Sequence, residues 1–199
     1  MIRSGKVINN NTNNEFYMIR SRKASNNNTN SDTTLRDTLR MLWEAHIFWT
    51  RLAILSIVFD LPDADVVTNK LLSNPGDFAD LLTPYIGKNN ATMFDKLLTS
   101  HLVIASQLVK AAKAGDTAAA DNYEKQWYAN ADEIARFLSS VNPKWSESKW
   151  KNMLYEHLAD TKSEAVNMLQ KNYQASINDF GSIEPEALEM AEYMYQGLK

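Results

Sequence analysis

Apolar residues recur at intervals of three and four positions from residue 32 to the end of the chain, with polar residues between them. This spacing places the apolar side chains on one face of an α-helix. Stretches in which apolar and polar residues alternate strictly, as in half-buried strands, are missing from the sequence, and β-branched residues are scarce. The pattern therefore predicts an all-α fold.

Proline, glycine and capping residues divide this region into separate helices. Pro62 and Asp63 end a first helix, Gly115 is typical of the residue that follows a helix, and 142-NP-143 closes another. Two short helices separated by 74-NPGD-77 lie between the first two long ones. We predict the long helices over 32–60, 90–114, 117–140 and 146–173, and a last helix over 182–196. Long helices joined by short loops predict an antiparallel bundle of the four-helix type with additional short helices.

The first 31 residues differ in composition from the rest of the chain. They contain nine asparagines, including the clusters 9-NNNTNN-14 and 26-NNNTN-30. Polar, low-complexity sequence of this kind does not bury enough apolar surface to offset the entropy lost on ordering. We therefore predict a disordered Asn-rich leader at 1–31 and a single helical-bundle domain at 32–199.

Composition and charge narrow the range of partners. The chain has 199 residues, 44% of them hydrophobic, and no cysteine, so it suits one well-packed domain without disulfides or thiolate metal sites. Residues 32–199 carry a net charge of −7, which argues against binding to nucleic acid. The longest apolar run, 52-LAILSIV-58, is far shorter than the roughly 20 residues that cross a bilayer, and the N-terminus lacks a signal-peptide core. We expect a soluble, intracellular and most simply cytoplasmic protein that binds neither nucleic acid nor membranes.

The only three histidines, His46, His101 and His157, share one sequence environment. Each lies within the apolar stripe of a predicted long helix, close to the midpoint of that helix. The residues four positions after them are Thr50, Ala105 and Thr161, and those eight positions after them are Ile54, Val109 and Ala165. Mid-helix positions of an antiparallel bundle meet at one level. We therefore expect the three imidazoles to lie close together.

This convergence predicts a mononuclear metal site. The fourth long helix has its midpoint near Asn130 and Asp132, which brings a carboxylate to the same level. Imidazole is the commonest side-chain ligand of transition metals. We predict that a divalent ion, Zn, Fe or Mn, is bound by His46, His101, His157 and Asp132. The positions expected to support these ligands are Thr50, Arg51, Asn130, Asp160, Thr161 and Glu164, the last of which is placed to pair with Arg51.

Two other interpretations of the same residues stay open. In the first, the protein is a non-enzymatic structural or interaction protein whose buried histidines only form hydrogen bonds in the core. In the second, the interior, which is rich in tryptophan and tyrosine, carries an apolar ligand. The chain contains no Glu-x-x-His unit, P-loop or Gly-x-Ser-x-Gly motif, so neither a di-iron centre nor nucleotide or hydrolase chemistry is supported. Whether the protein is an enzyme is left undecided.

The acidic helix predicted at the C-terminus has its own apolar stripe, which includes Met190 and Met194. A methionine stripe adapts to varied surfaces, so it suits either packing on the bundle or contact with a second copy of the chain. The sequence thus leaves open a homodimer formed through this helix.

Four segments, 42-LWEAHIFWTR-51, 69-NKLLSNPGDFADLL-82, 127-WYANADEIARFLSSVNP-143 and 153-MLYEHLADTKSEA-165, resemble a family of small helical proteins from Bacillus- and Clostridium-type bacteria. The likeness spans residues 35–198. Because the activity of that family is not established, the resemblance implies the helical fold and marks residues without implying a reaction. The residues at its motif positions are His46, Thr50, Arg51, His101, Asn130, Asp132, His157, Thr161 and Glu164. More distantly, the paired Trp/His helices resemble ferritin-like bundles, which place metals between helices.

Overall fold

The structure, a computed structural model, describes residues 28–199, and residues 1–27 lie outside it. Most of the predicted leader at 1–31 therefore falls outside the described residues. The helices are α1 (Asn28–Val58), α2 (Ala64–Leu71), α3 (Asn74–Ile86), α4 (Lys88–Ala114), α5 (Thr117–Val141), α6 (Glu147–Leu169) and α7 (Tyr173–Leu198). The described part of the chain has no strand, so the all-α prediction is confirmed.

Several helix ends are set by local interactions of residues that are recognisable in the sequence. Gly115 follows α4 with a φ of 73°, the left-handed conformation that glycine adopts without steric cost. At the start of α5, the Asp116 carboxylate accepts a hydrogen bond from the backbone N–H of Ala119 at 3.0 Å. Ser146 caps α6 in the same way, with its Oγ accepting from the N–H of Lys149 at 3.3 Å.

The C-terminal boundaries differ from the prediction. Helix α6 ends at Leu169, and α7 begins at Tyr173 rather than at residue 182. The proline at 185, read as a start signal, lies inside α7. Proline removes one backbone hydrogen bond from a helix, but burial of the apolar face before and after it, at Ile183 and Ala187, holds the helix together.

The long helices run in two opposite directions. Trp127 contacts His101 and Asn130 contacts Leu97, so α4 and α5 are antiparallel. Glu124 pairs with Lys162 and Asp132 pairs with Lys151, so α5 and α6 are antiparallel too. Helix α7 is antiparallel to α1, because Arg36 near the start of α1 pairs with Glu192 near the end of α7. Helices α1, α4 and α6 therefore run one way, and α5 and α7 the other. The described residues form five long helices where four were expected, because α7, with 26 residues, is about three turns longer than the helix predicted over 182–196. The four-helix arrangement itself stays a prediction.

The hydrophobic core extends along all five long helices. Trp145, Trp150, Phe78 and Phe94 are among its fully buried large side chains. The apolar stripe of α7 belongs to this core, because Met190 and Met194 are completely buried. The stripe therefore packs on the bundle. Because these two methionines are buried, they provide no surface for a second copy of the chain, and the homodimer stays a prediction.

One segment of the described chain, Thr34–Val58 in α1, is long and apolar enough to span a membrane by length and composition alone. Half of its most apolar window is buried inside the protein. Core helices of soluble proteins have the same property, and the segment lies near the N-terminus, where signal sequences also do.

Candidate functional site

The three histidines are buried in the interior on α1, α4 and α6. Because these helices run in the same direction, the shared template places their rings at a similar height. The ring centroids of His46 and His157 are 5.7 Å apart. Burial lowers the pKa of His46 and of His101 to about 3 and that of His157 to about 4, and the positive charge that His157 would carry lowers the first two further. All three imidazoles are therefore neutral at pH 7.

Protein groups occupy both ring nitrogens of His101. Its Nε2 accepts a hydrogen bond from the indole N–H of Trp127 at 3.0 Å, so the ring proton is on Nδ1. That Nδ1–H donates to Oδ1 of Asn130 at 2.8 Å, and the Asn130 amide in turn donates to the carbonyl of Leu97 at 3.1 Å. His101 thus joins α4 to α5 through hydrogen bonds and has no lone pair left for a ligand.

Asn74 holds His46 in a related way. Oδ1 of Asn74 lies 3.3 Å from Nδ1 of His46, and the Asn74 amide donates to the carbonyl of Leu42 at 3.0 Å. The sequence pattern does not predict this contact, because the segment 74-NPGD-77 indicates only the separation between two short helices. The hydroxyl of Thr50, a predicted supporting residue, donates to the backbone carbonyl of His46 at 2.8 Å and not to its ring.

His157 faces a carboxyl group that the sequence analysis missed. Oε2 of Glu186, on α7, lies 3.6 Å from Nδ1 of His157, and the Glu186 side chain is 10% exposed. Burial raises the pKa of Glu186 to about 8, and the neighbouring charges of Asp160, Glu156 and Glu189 raise it further. Glu186 is therefore mostly protonated at pH 7. It lies on the same face of α7 as Ile183 and Met190, so the criterion that selected the histidines would have selected it too.

Several buried polar atoms around His157 have no hydrogen-bond partner among the described residues. These atoms are Nδ1 of His157, Oγ1 of Thr161 and both carboxyl oxygens of Glu186. Native interiors leave few such groups, and each calls for a partner that is protein, water or ligand. Four of the seven unpaired buried side-chain atoms in the described part of the chain thus belong to these three residues.

The predicted metal ligands do not all meet. The carboxylate of Asp132 lies on the surface between α5 and α6, where it accepts hydrogen bonds from Lys151 Nζ at 2.8 Å and from the Tyr155 hydroxyl at 3.0 Å. The hydrogen bond from Lys151 lowers the pKa of Asp132, which keeps it ionised. Asp132 points away from the histidines because it lies two residues, about 200° of helix turn, from Asn130. Within residues 28–199, no group of three or more His, Asp or Glu side chains is arranged to hold a metal ion.

Arg51 and Glu164 form the pair that the sequence suggests. Arg51 Nη1 on α1 donates to Glu164 Oε1 on α6, and the same atom lies 3.4 Å from the backbone carbonyl of Ser176 on α7. The Arg51 guanidinium also lies over the ring of Phe180, 5.1 Å from its centroid. Burial raises the pKa of Glu164 to about 7, although Arg51 acts in the opposite direction.

An apolar cavity of about 180 Å³ lies next to the histidines, towards the C-terminal ends of α1, α4 and α6. Its walls include the six residues that follow the histidines by four and eight positions, namely Thr50, Ala105, Thr161, Ile54, Val109 and Ala165. The alanines Ala53, Ala112 and Ala120 also line it. These short side chains leave space where larger residues would have filled the interior.

An indole ring in the wall and a polar edge complete the cavity. Trp127 forms part of its wall, and the hydrogen bond to His101 fixes the orientation of that indole. Three ionisable residues, Asp121, Glu124 and Lys162, lie along its edge on α5 and α6. The Lys162 ammonium pairs with both oxygens of Glu124 at 2.6 and 2.7 Å. The edge is thus polar, while the interior walls are almost entirely apolar.

Comparisons of this chain with protein-family models, with curated proteins and with solved structures find no match. The resemblance to a bacterial helical family and the more distant likeness to ferritin-like bundles therefore stay predictions.

Proposed function

We propose that the protein binds a small, largely apolar molecule in the cavity between α1, α4, α5 and α6. The observation that carries this proposal is the cavity itself, about 180 Å³ in volume with walls formed mainly by alanine, leucine, isoleucine and valine. An engineered apolar cavity of about 150 Å³ in another protein stays dry and binds benzene or xenon. A monocyclic compound or a short branched chain matches the volume.

The position of the cavity supports binding rather than a packing defect. Five alanines from four helices border the same space, so no single residue accounts for it. An empty cavity of this size destabilises a protein, because its walls lose contacts that other side chains would make. A ligand restores those contacts and stabilises the fold by mass action.

Toluene tests the proposal, with Ala105→Leu as the variant and Ala111→Leu as its matched control. Both alanines are half-buried on α4, but only Ala105 lines the cavity. Ligand at ten times its Kd stabilises the folded state by about 1.4 kcal/mol, which raises Tm by about 3–6 °C in a chain of this size. We expect that rise in the wild type and in Ala111→Leu, and its loss in Ala105→Leu.

The proposal fails if the wild type gives neither a Tm rise nor binding heat in calorimetry with toluene, other monocyclic compounds or short branched alkanes. It also fails if Ala105→Leu binds them as tightly as the wild type, because binding would then take place elsewhere.

A divalent metal ion beside His157 is a second candidate, favoured by the unpaired buried atoms of His157, Thr161 and Glu186. The ligands we propose are His46, His157 and Glu186, in place of His101, whose nitrogens are engaged, and Asp132, which lies on the surface. Two imidazoles and one carboxylate are a common donor set for Fe, Mn and Zn. Binding would require these side chains to turn towards a common point.

Matched carboxyl-to-amide variants test the metal proposal. In protein purified without chelator or nickel resin, we expect near-stoichiometric metal by elemental analysis in the wild type and in Asp132→Asn. Glu186→Gln should lower the metal content severalfold. The proposal is excluded if the wild type contains no metal and added Zn²⁺, Fe²⁺ or Mn²⁺ leaves its Tm unchanged.

A further inference from the structure

We infer that the ligand of the cavity is a small neutral alcohol or phenol whose hydroxyl group pairs with the side chain of Thr161. This inference rests on the proposed function, because it specifies the ligand class of the same cavity. The group on which it depends is the buried hydroxyl of Thr161 on α6, which lacks the hydrogen bond that the hydroxyl of Thr50 makes on α1.

The hydroxyl of Thr161 is unusual because it has no partner among the described residues. Thr161 is 5% exposed, its Oγ1 is buried, and the residue lines the cavity. Threonines inside helices usually donate to the carbonyl four residues before them. Thr38, Thr50 and Thr83 do so here, at distances of 2.7–2.8 Å. Thr161 leaves that bond unmade, which costs free energy unless another group pairs with the hydroxyl.

Thr50 provides an internal comparison. It lies four residues after His46 as Thr161 lies four residues after His157, and both line the same cavity. The hydroxyl of Thr50 is already bonded to the carbonyl of His46 at 2.8 Å. The cavity therefore has two threonines at equivalent positions, and of the two only Thr161 has an unpaired hydroxyl. Because Oγ1 of Thr161 is buried, the side chain must rotate about its Cα–Cβ bond to present the hydroxyl to a ligand.

The rest of the wall limits the ligand to a neutral molecule. Most lining residues are aliphatic, and the only ionisable ones lie at the edge, where Lys162 and Glu124 already pair with each other. A charged group in such an interior would lose its hydration without a counter-charge. A hydroxyl group donates and accepts, as Thr161 does, so a neutral alcohol or phenol meets both requirements.

Phenol and toluene test the inference because they share a ring and differ in one hydroxyl. Calorimetry gives the Kd of each compound for the wild type, Thr161→Val and Thr50→Val. In Thr161→Val we expect the affinity for phenol to fall about 10-fold, the effect of an unpaired buried hydroxyl, and that for toluene to change less than about threefold. In Thr50→Val both affinities should stay close to those of the wild type.

The outcomes separate this inference from the function on which it rests. If toluene binds but Thr161→Val weakens phenol and toluene equally, or weakens neither, the ligand class is wrong and the cavity remains a binding site. If neither compound nor any other small apolar molecule binds the wild type, both proposals fail. Valine matches threonine in shape and removes an unpaired group, so Thr161→Val should fold, and a ligand-free Tm at or above that of the wild type checks this.

Discussion

The buried Arg51–Glu164 pair offers the sharpest test of how the helices are held together. The two side chains are only 14% and 2% exposed, and they connect α1 to α6. Arg51 also reaches the Ser176 carbonyl and the ring of Phe180 on α7. Losing one member of such a pair leaves the other charge buried without compensation, which generally costs about 3–5 kcal/mol.

The variant Arg51→Met removes the charge and keeps a long apolar side chain. Without Arg51, which lowers it, the pKa of Glu164 rises above its present value of about 7. The carboxyl then folds in its neutral form at pH 7. Protonating a group of ordinary pKa 4.5 at that pH costs about 3.4 kcal/mol, at 1.36 kcal/mol for each pH unit. The wild type, whose folded-state Glu164 pKa is about 7, already bears about 3.0 kcal/mol of this cost at pH 7, so protonation of Glu164 adds only about 0.4 kcal/mol in the variant. Most of the loss in Arg51→Met comes from the hydrogen bonds and the ring contact that Arg51 makes, and we expect the total loss of unfolding free energy to be about 1–3 kcal/mol.

The sign of the pH dependence follows from the raised pKa of Glu164. Between 4.5 and the folded-state pKa, the folded variant binds more protons than the unfolded chain does, so its stability falls as pH rises. At pH 5 Glu164 is protonated in the folded wild type as well as in the folded variant, so its protonation cost, below about 1 kcal/mol, is the same in both proteins. Both proteins should therefore lose about 2 kcal/mol between pH 5 and pH 7, and the loss caused by Arg51→Met should be the same at the two pH values within about 0.5 kcal/mol.

Urea unfolding of the wild type, Arg51→Met, Glu164→Leu and the double variant measures these differences. Replacing both partners leaves no buried charge, so the double variant should recover most of the stability that Arg51→Met loses at pH 7. The reasoning is refuted if Arg51→Met is destabilised several times more at pH 7 than at pH 5, or if the double variant is no more stable than Arg51→Met at pH 7.

Two further predictions concern α7. The pKa of Glu186, raised by burial to about 8 from 4.5, implies that the wild type loses about 3.5 kcal/mol through this group between pH 5 and pH 8. Glu186→Gln should flatten that slope in urea unfolding, and an unchanged slope would contradict the assignment. A Cβ atom at Gly197 would lie 1.8 Å from Nε1 of Trp145, so Gly197→Ala should lower the unfolding free energy by about 1–3 kcal/mol. Gly181→Ala, where nothing lies within 4 Å, should instead stabilise the helix slightly in the same assay.

Local chemistry made some features of the candidate site predictable. The histidines, the Arg51–Glu164 pair and the cavity-lining residues at Ala105 and Thr161 all follow from one helical period read along α1, α4 and α6. The sequence pattern did not show that the residues after the histidines border a cavity, because a small residue in an apolar stripe is equally compatible with close packing against a large neighbour.

Other features could not be predicted from one helix at a time. Asp132 and Asn130 are two residues apart, and only the packing of α5 between α4 and α6 shows that Asn130 faces His101 and Asp132 faces Lys151. Glu186 was missed because its neighbouring proline resembled a helix start. The proline is in fact inside α7, whose buried face supports the helix on both sides of it.

The sequence by itself determined the helical class, most helix positions and the position of each histidine along its helix, because these depend on spacing and capping within about four residues. Only the tertiary structure decided which polar atoms have partners and where space is left. Trp127 occupies the lone pair of His101, whereas Thr161 and Glu186 have no partner within the described chain. Such outcomes depend on the distance between residues far apart in the sequence, and that distance is set by how the helices pack.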